Sequence, residues 1–362
     1  MQKIESYFSN IYIDNNSFEL LNKYLEEQYE SFSQIFIIVD ENTHEHCLPT
    51  LINNVEKLRD AEIIEIESGE DSKNIELASQ IWQMFLEFKA DKNALIINLG
   101  GGVISDFGGF VASQYKRGLK YINIPTSLLG MVDASIGGKV NINLNNCKNA
   151  IGSYFYPTAT FVNTYFLGTL NNRHYKNGLA ELIKHFLISG KESFEQLLKN
   201  KFTENTETFD AILTSSLQIK NKIICQDPYE KDIRKTLNFG HTIGHAIESY
   251  SIANTSKELY HGEAICIGMI CESYIAMQLN YITSDYLEKI KKYLTKTIGK
   301  FDISDYDKNA LFEIMQNDKK NSHQSINFSL IKEKEFSTID NYIEKNIIFD
   351  ALSYYISGEK NG

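Results

Sequence analysis

The sequence predicts an α/β amino-terminal domain with a mostly parallel sheet, followed by a mainly α-helical carboxy-terminal domain. In the first half, short apolar runs alternate with helical periodicity, and turn residues follow each run. The second half consists of long amphipathic stretches. A chain of 362 residues also exceeds what one hydrophobic core usually serves, so two domains are expected.

Four apolar runs of the first half are expected to form buried strands. They are residues 35–39, 63–66, 94–99 and 121–124. Residues 74–89 have helical periodicity between two of these runs. Alternation of this kind implies parallel strands in an open, Rossmann-like sheet. Such a sheet binds its ligands beyond the carboxyl ends of the strands.

Helical periodicity dominates from about residue 179 onward. It covers residues 209–225, 241–250, 263–279 and 285–296, whereas only residues 326–331 resemble a late strand. The composition changes near residues 170–178. We therefore expect an α/β domain over residues 1–175 and a helical domain over residues 176–362.

Charge and cysteine content limit the classes of function. The 36 basic and 47 acidic residues give a net charge of −11, which disfavours general nucleic-acid binding. An odd number of cysteines without a C-x-x-C pair is typical of reduced thiols. No signal peptide is evident, and the most apolar stretch, residues 264–277, is too short to span a bilayer. A cytoplasmic protein with no membrane segment is therefore expected.

A glycine-rich segment follows the third predicted strand. Gly100, Gly101 and Gly102 precede a helical pattern, so the backbone can approach a ligand closely and the helix amides can attract a pyrophosphate. The same glycines would also suit a tight turn without a ligand. A second loop, Thr126-Ser127, follows the fourth strand and places hydroxyls at the same edge, which favours a nucleotide.

Histidines and a carboxylate suggest a metal site in the second half. His241 and His245 lie four residues apart and project from one face of a helix. The residue after His241 is not a glutamate, so the H-E-x-x-H arrangement of zinc proteases is absent. His261 and Glu181 are further candidates, and three N/O ligands would leave an open catalytic position. Taken singly, each histidine also suits a structural role.

Taken together, these segments resemble the dehydroquinate synthase family, and the resemblance runs from residue 38 to residue 330. The motifs that carry it occur in the family's order: residues 100–106, 116–118, 125–129, 133–139, 148–149, 181–184, 237–248, 261–269 and 318–320. Val140-Asn141 and Asp232 depart from the family's pattern in loops beside the expected site. The resemblance assigns NAD binding to the first domain and metal and substrate binding to the second.

The resemblance also implies roles for individual residues. The implied metal ligands, for Zn²⁺ or Co²⁺, are Glu181, His241 and His261. The implied catalytic groups are His245, Lys139, Lys184 and Asn238. The implied NAD contacts are Asp40, Asn42, Glu70, Lys73, Gly101, Gly102, Asp106, Thr126, Ser127, Asp133, Lys139 and Lys148. The implied substrate-binding residues are Arg117, Lys148, Asn149, Lys220, Arg234, Lys319 and Lys320.

The activity that the resemblance implies is the conversion of 3-deoxy-D-arabino-heptulosonate 7-phosphate, a phosphorylated sugar acid, to 3-dehydroquinate and phosphate in the shikimate pathway. The family's reaction comprises transient oxidation with NAD, phosphate elimination, re-reduction and intramolecular aldol closure, and a homodimer is expected. Three alternatives remain: a cyclase for a sugar phosphate without the carboxylate, a metal-dependent alcohol dehydrogenase, and a non-catalytic relative that kept the fold.

Overall fold

The computed structural model of the protein describes residues 2–14, 17–145, 147–199, 206–316 and 325–358. Lys319 and Lys320 lie outside the described residues. The chain divides into two compact units, Met1–Tyr175 and Lys176–Gly362. Within the described ranges, no helix combines the length and apolarity needed to cross a membrane.

The strands are β1 Gln2–Ile4, β2 Asn10–Ile13, β3 Ile35–Asp40, β4 Glu62–Ile66, β5 Leu95–Gly100, β6 Lys120–Pro125, β7 Lys139–Leu144, β8 Cys147–Tyr154, β9 Ala159–Val162, β10 Ser325–Leu330 and β11 Thr338–Glu344. The helices are α1 Glu19–Gln28, α2 Glu41–His46, α3 Leu48–Asn54, α4 Ile75–Glu87, α5 Gly102–Gln114, α6 Asn172–Ile188, α7 Lys191–Lys199, α8 Thr206–Gln226, α9 His241–Asn254, α10 His261–Gln278, α11 Ser284–Thr297, α12 Lys308–Gln316 and α13 Lys345–Ser357.

The first unit is built on a seven-stranded sheet with the order β1-β2-β9-β6-β5-β3-β4. Only β1 and β2 pair antiparallel, and the other neighbours pair in parallel. This confirms the predicted mostly parallel sheet. All six residues of β5 are buried, as expected for a central strand covered on both faces. The four predicted strands correspond to β3, β4, β5 and β6.

A pair of amides lies inside this apolar sheet. The Asn98 Nδ2 atom on β5 donates to Asn123 Oδ1 on β6 at 2.9 Å, and Asn123 Nδ2 donates to the Ser135 carbonyl at 3.1 Å. Gly108 on α5 makes room for this pair, because a Cβ atom there would lie 1.9 Å from Asn98 Oδ1. The two buried amides therefore tie the sheet to the turn that follows Asp133.

The second unit is mainly helical, and all four helical stretches predicted there form helices, namely α8, α9, α10 and α11. The expectation of a single late strand is wrong, because β10 pairs antiparallel with β11. The strand β11 was not predicted, because its sequence contains no clear apolar run. The antiparallel hairpin of β7 and β8 in the first unit was also not predicted.

Glycines bring α9 and α10 into close backbone contact. A Cβ atom at Gly268 on α10 would lie 1.9 Å from the Gly240 carbonyl oxygen and 2.8 Å from the Gly244 nitrogen. Gly240 itself has a φ of +81°, a conformation that favours glycine, and it immediately precedes α9. This close contact between α9 and α10 fixes the backbone position of His241, the first residue of α9.

Candidate functional site

The carboxyl ends of three neighbouring strands, β3, β5 and β6, carry several of the predicted nucleotide-binding residues of the first unit. Asp40 ends β3 and caps α2, where its Oδ1 atom accepts from the Thr43 backbone nitrogen at 2.8 Å. Asn42 lies in the first turn of α2 and is exposed. These side chains lie where an open parallel sheet usually binds ligands.

The glycine-rich segment joins β5 to α5 and packs against the loop after β6. The Thr126 nitrogen donates to the Gly100 carbonyl at 2.9 Å, and a Cβ atom at Gly101 would lie 3.2 Å from Ser127 Oγ. Gly101 offers no side chain to cap α5, which begins at Gly102. The first amides of a 13-residue helix thus face the strand ends, an arrangement that suits a pyrophosphate.

Four of the predicted residues form a polar cluster in which the buried Lys73 ammonium is central. The Lys73 ammonium lies 2.9 Å from Asp106 Oδ2, 2.9 Å from Asn149 Oδ1 and 3.4 Å from Glu70 Oε1. Burial raises the pKa of Asp106, and the ammonium of Lys73 opposes this. Asn143, which the sequence did not indicate, donates to Glu70 at 3.0 Å and accepts from the Asn149 backbone nitrogen at 2.8 Å.

The remaining predicted residues of the first unit occupy its loops and hairpin. Lys139 begins β7 and Lys148 lies on β8, and both side chains are exposed. Arg117 is exposed and has a φ of +68°. Asp133 is half-buried within a π-helical turn, Gly130–Ala134.

In the second unit, Glu181, His241 and His261 come together from α6, α9 and α10. The Glu181 Oε1 atom lies 3.4 Å from His241 Nε2 and 3.6 Å from His261 Nε2. Glu181 is fully buried, and among the described residues its oxygens have no hydrogen-bond partner beyond the ion pairs with Lys184 and the two histidines. A buried carboxylate left in this way beside two imidazoles fits a divalent cation.

The Nδ1 atoms of His241 and His261 each lie beside a different oxygen atom of the protein. His241 Nδ1 lies 3.1 Å from the Phe239 carbonyl, and His261 Nδ1 lies 3.0 Å from Glu248 Oε2. Such partners orient a metal-ligating histidine and fix its tautomer. Glu248 was not among the predicted site residues, although its spacing of seven residues from His241 places it on the same face of α9.

His245 lies beside the other two histidines and is the most exposed of the three. Its ring centre is 4.9 Å from that of His241 and 5.6 Å from that of His261. Loss of hydration and the charge of His261 lower the pKa of His245. The three imidazoles are close enough together to form a second possible ligand set.

A buried lysine also adjoins the carboxylate. The Lys184 ammonium lies 2.5 Å from Glu181 Oε2, one helical turn away on α6. Burial by itself would raise the pKa of Glu181, but Lys184, His241 and His261 together hold it well below the usual range. The carboxylate is therefore ionised and able to bind a metal at neutral pH.

Two further predicted cations, Lys220 and Arg234, are buried in the second unit, each 3% exposed. Buried cations need anionic or carbonyl partners, and Arg234 Nη1 donates to the Pro228 carbonyl at 2.6 Å. Asn238 is exposed, and its amide donates to Glu230 at 2.9 Å. The burial of such cations in an acidic chain is typical of a focused anion site.

Comparisons with known proteins identify the family of the chain. Sequence models described as 3-dehydroquinate synthase N-terminal and C-terminal match residues 63–177 and 178–321. A 3-dehydroquinate synthase from Parabacteroides distasonis is 38% identical over 327 residues, which cover 90% of this chain and 92% of that protein.

Two solved structures share the fold. A 2-deoxy-scyllo-inosose synthase complexed with carbaglucose-6-phosphate, NAD+ and Co²⁺ has a TM-score of 0.85 and 24% identity, covering 98% of this chain and 99% of its own. A 2-epi-5-epi-valiolone synthase from Streptomyces hygroscopicus subsp. jinggangensis, with NAD+ and Zn²⁺ bound, has a TM-score of 0.82 and 23% identity, covering 100% and 99%. The sequence matches, which span most of the chain, show that it belongs to the 3-dehydroquinate synthase family.

Proposed function

We propose that the protein converts 3-deoxy-D-arabino-heptulosonate 7-phosphate to 3-dehydroquinate and phosphate, as an NAD- and metal-dependent carbon–oxygen lyase. Membership of the family supports this activity. The observation that carries it is the buried Glu181 carboxylate, which pairs with the Lys184 ammonium and faces the imidazoles of His241 and His261.

Glu181, His241 and His261 would hold the metal, Zn²⁺ or Co²⁺. A divalent ion there would supply Lewis-acid stabilisation of negative charge on a substrate oxygen. The protein's own contribution is orientation, because Phe239 and Glu248 fix the rings of the two histidines. His245 is the first candidate for moving a proton, since its lowered pKa leaves the imidazole neutral and able to accept a proton near neutral pH.

The strand-end loops of the first unit would hold NAD. The amides at the start of α5 suit the pyrophosphate, and Asp40 and Asn42 are placed for ribose hydroxyls. NAD would supply transient oxidation of the substrate, with no net change in the oxidation state of the cofactor over one turnover. The cluster of Lys73, Asp106 and Glu70 stiffens the loop that precedes α4.

The cations of the chain would bind the anionic groups of the substrate. Lys148, Asn149 and Lys184 are proposed for the phosphate, and Lys220 and Arg234 for the carboxylate, since a guanidinium is the natural partner of a carboxylate. Arg117 and Lys139 complete the described members of the set. The family assignment further supports a cytoplasmic homodimer, which sedimentation of the purified protein would test.

Substrate choice distinguishes this activity from that of a cyclase for a neutral sugar phosphate. We expect phosphate release from the heptulosonate phosphate to be far faster than from sedoheptulose 7-phosphate, which lacks the acid group. Replacing Arg234 by alanine leaves a substrate carboxylate unpaired, which costs about 2–5 kcal/mol in the transition state for a buried charge pair. The Arg234→Ala variant should therefore lose at least tenfold in kcat/KM on the acid substrate.

The matched measurement uses the same variant with sedoheptulose 7-phosphate, where the missing guanidinium has no carboxylate to bind. Equal release of phosphate from both sugars by the wild-type protein, or an acid-substrate kcat/KM that is unchanged in Arg234→Ala, would assign the protein to the neutral-sugar cyclases.

A further inference from the structure

Glu272 is a fully buried carboxyl group that none of the proposed catalytic steps uses. It lies in the middle of α10, and its side chain reaches the beginning of α9. Its Oε2 atom accepts from the Gly240 backbone nitrogen at 2.6 Å, and its Oε1 atom accepts from the Ile243 backbone nitrogen at 3.0 Å. One side chain therefore binds two amides of another helix.

These two amides need a partner from elsewhere. The first amides of a helix have no acceptor within the helix and are usually capped by the side chain just before it. In α9 that position is Gly240, which has no side chain to offer. Glu272 takes over the capping from the neighbouring helix, and a carboxylate is well suited to the positive end of a helix.

The capped amides flank the first residue of α9, His241. The backbone of this residue is held on both sides by Glu272, while its ring is held by the Phe239 carbonyl at 3.1 Å. The same face of α10 also presents Gly268, whose lack of a side chain lets the two helices touch. The main-chain position of His241 thus depends directly on Glu272.

We propose that Glu272 is a positioning residue that holds His241 where it can bind a divalent metal together with Glu181 and His261. This inference rests on the metal site of the proposed function. Burial raises the pKa of Glu272 to about 8, against the pull of the α9 amides.

The test measures Co²⁺ binding to the metal-free protein by its visible absorption, which reports both affinity and ligand geometry. Glu272→Leu keeps the volume and removes both acceptors, and we expect it to bind Co²⁺ at least tenfold more weakly with an altered spectrum. Glu272→Gln keeps one acceptor oxygen but turns its amide towards the other backbone nitrogen, so it should bind Co²⁺ more tightly than Glu272→Leu and more weakly than the wild type. Tighter Co²⁺ binding in Glu272→Gln than in Glu272→Leu would identify the lost hydrogen bonds as the cause of the weaker binding.

Ser273→Ala is the matched control. Ser273 is the next residue of α10, is buried, and donates to the Met269 carbonyl within its own helix at 2.6 Å, so its loss should leave Co²⁺ affinity unchanged. Equal weakening in this control would show a general loosening of α10 and would overturn the positioning role. Wild-type affinity and spectrum in Glu272→Leu would overturn it as well.

Two further outcomes separate this role from the metal site itself. A wild-type protein that binds no Co²⁺ would overturn the proposed function, whereas normal binding in all variants overturns only the role of Glu272. If Glu272→Leu does not fold, hydrogen exchange of the metal-free wild type decides. The amides of Gly240 and Ile243 should exchange slowly before metal is added, and exchange that slows only with Co²⁺ would contradict the proposal.

Discussion

Asp227 organises the backbone that leads to Arg234. Its Oδ1 atom accepts from the Lys231 nitrogen at 3.0 Å, and its Oδ2 atom accepts from the nitrogens of Asp232 and Arg234 at 2.7 and 3.1 Å. Burial would raise the pKa of Asp227, but these three amides lower it below the usual range. A single carboxylate thus sets the conformation of the turn that carries the proposed carboxylate-binding guanidinium.

We predict that Asp227→Asn impairs substrate binding. The asparagine keeps one acceptor oxygen and turns an amide towards a backbone nitrogen, so at least one charge-assisted hydrogen bond, about 1.5–3 kcal/mol, is lost. KM for the heptulosonate phosphate should rise roughly tenfold, with a smaller change in kcat, because about 1.4 kcal/mol corresponds to a factor of ten. Steady-state kinetics with the acid substrate measure this.

Asp232→Gly is the control for this prediction. The Asp232 side chain is exposed and caps no helix, and the substitution keeps the backbone nitrogen that Asp227 binds. Kinetics close to the wild type are expected. A similar rise of KM in both variants, or none in Asp227→Asn, would show that this turn does not control the position of Arg234.

At this scale the sequence indicated residues with distinctive chemistry and spacing, such as His241 and His245. It did not indicate Asp227, Glu248 or Asn143. These residues act through backbone amides or through a second residue, and no apolar periodicity or motif marks such contacts in the sequence. They become visible only when the fold brings the partners together.

Among the elements, the contact between α9 and α10 is the one on which the proposed metal site depends. We predict that Gly268→Ala destabilises the protein and weakens Co²⁺ binding. Alanine in a helix normally gains about 0.5–1 kcal/mol over glycine. Here the new Cβ would lie 1.9 Å from the Gly240 carbonyl, and overpacking of this kind costs about 1–3 kcal/mol, so the net change is unfavourable.

Thermal unfolding and Co²⁺ titration of this variant should be compared with Gly168→Ala. A Cβ atom at Gly168 would meet nothing within 4 Å, so its unfolding free energy should change by less than about 0.5 kcal/mol. An equally stable Gly268→Ala variant with wild-type metal affinity would mean that α9 moves away without cost, and that the contact does not position His241.

The elements that the sequence predicted are those with a buried face and a regular period. β3 and β5 are apolar on both faces, and α10 is buried over most of its length. β8 is exposed along nearly all of its length, so no apolar run marked it. β1 and β2 have only three and four residues, too few for a clear apolar period, and β1 lies at the edge of the sheet. Apolar periodicity therefore marks the core strands and helices but not the exposed hairpin that carries Lys148 and Asn149.

On the scale of the whole molecule, several cations are buried although the chain is acidic overall. The chain carries a net charge of −11, yet Lys73, Lys184, Lys220 and Arg234 are each at most 3% exposed. An acidic surface repels anions in general, whereas a locally buried cation favours an anion of matching shape. This combination favours a specific phosphorylated acid over nucleic acid, as the composition alone had suggested.

The stoichiometry of NAD tests the reaction as a whole. Because the proposed chemistry returns the hydride to the same substrate molecule, a trace of NAD should support many turnovers of phosphate release, and absorbance at 340 nm should stay near its starting value. His241→Ala, which removes a proposed metal ligand, should bind less Co²⁺ and release little phosphate under the same conditions. An alcohol dehydrogenase would consume NAD with each turnover, so NADH that accumulates one for one with product would replace the lyase assignment with that of a dehydrogenase.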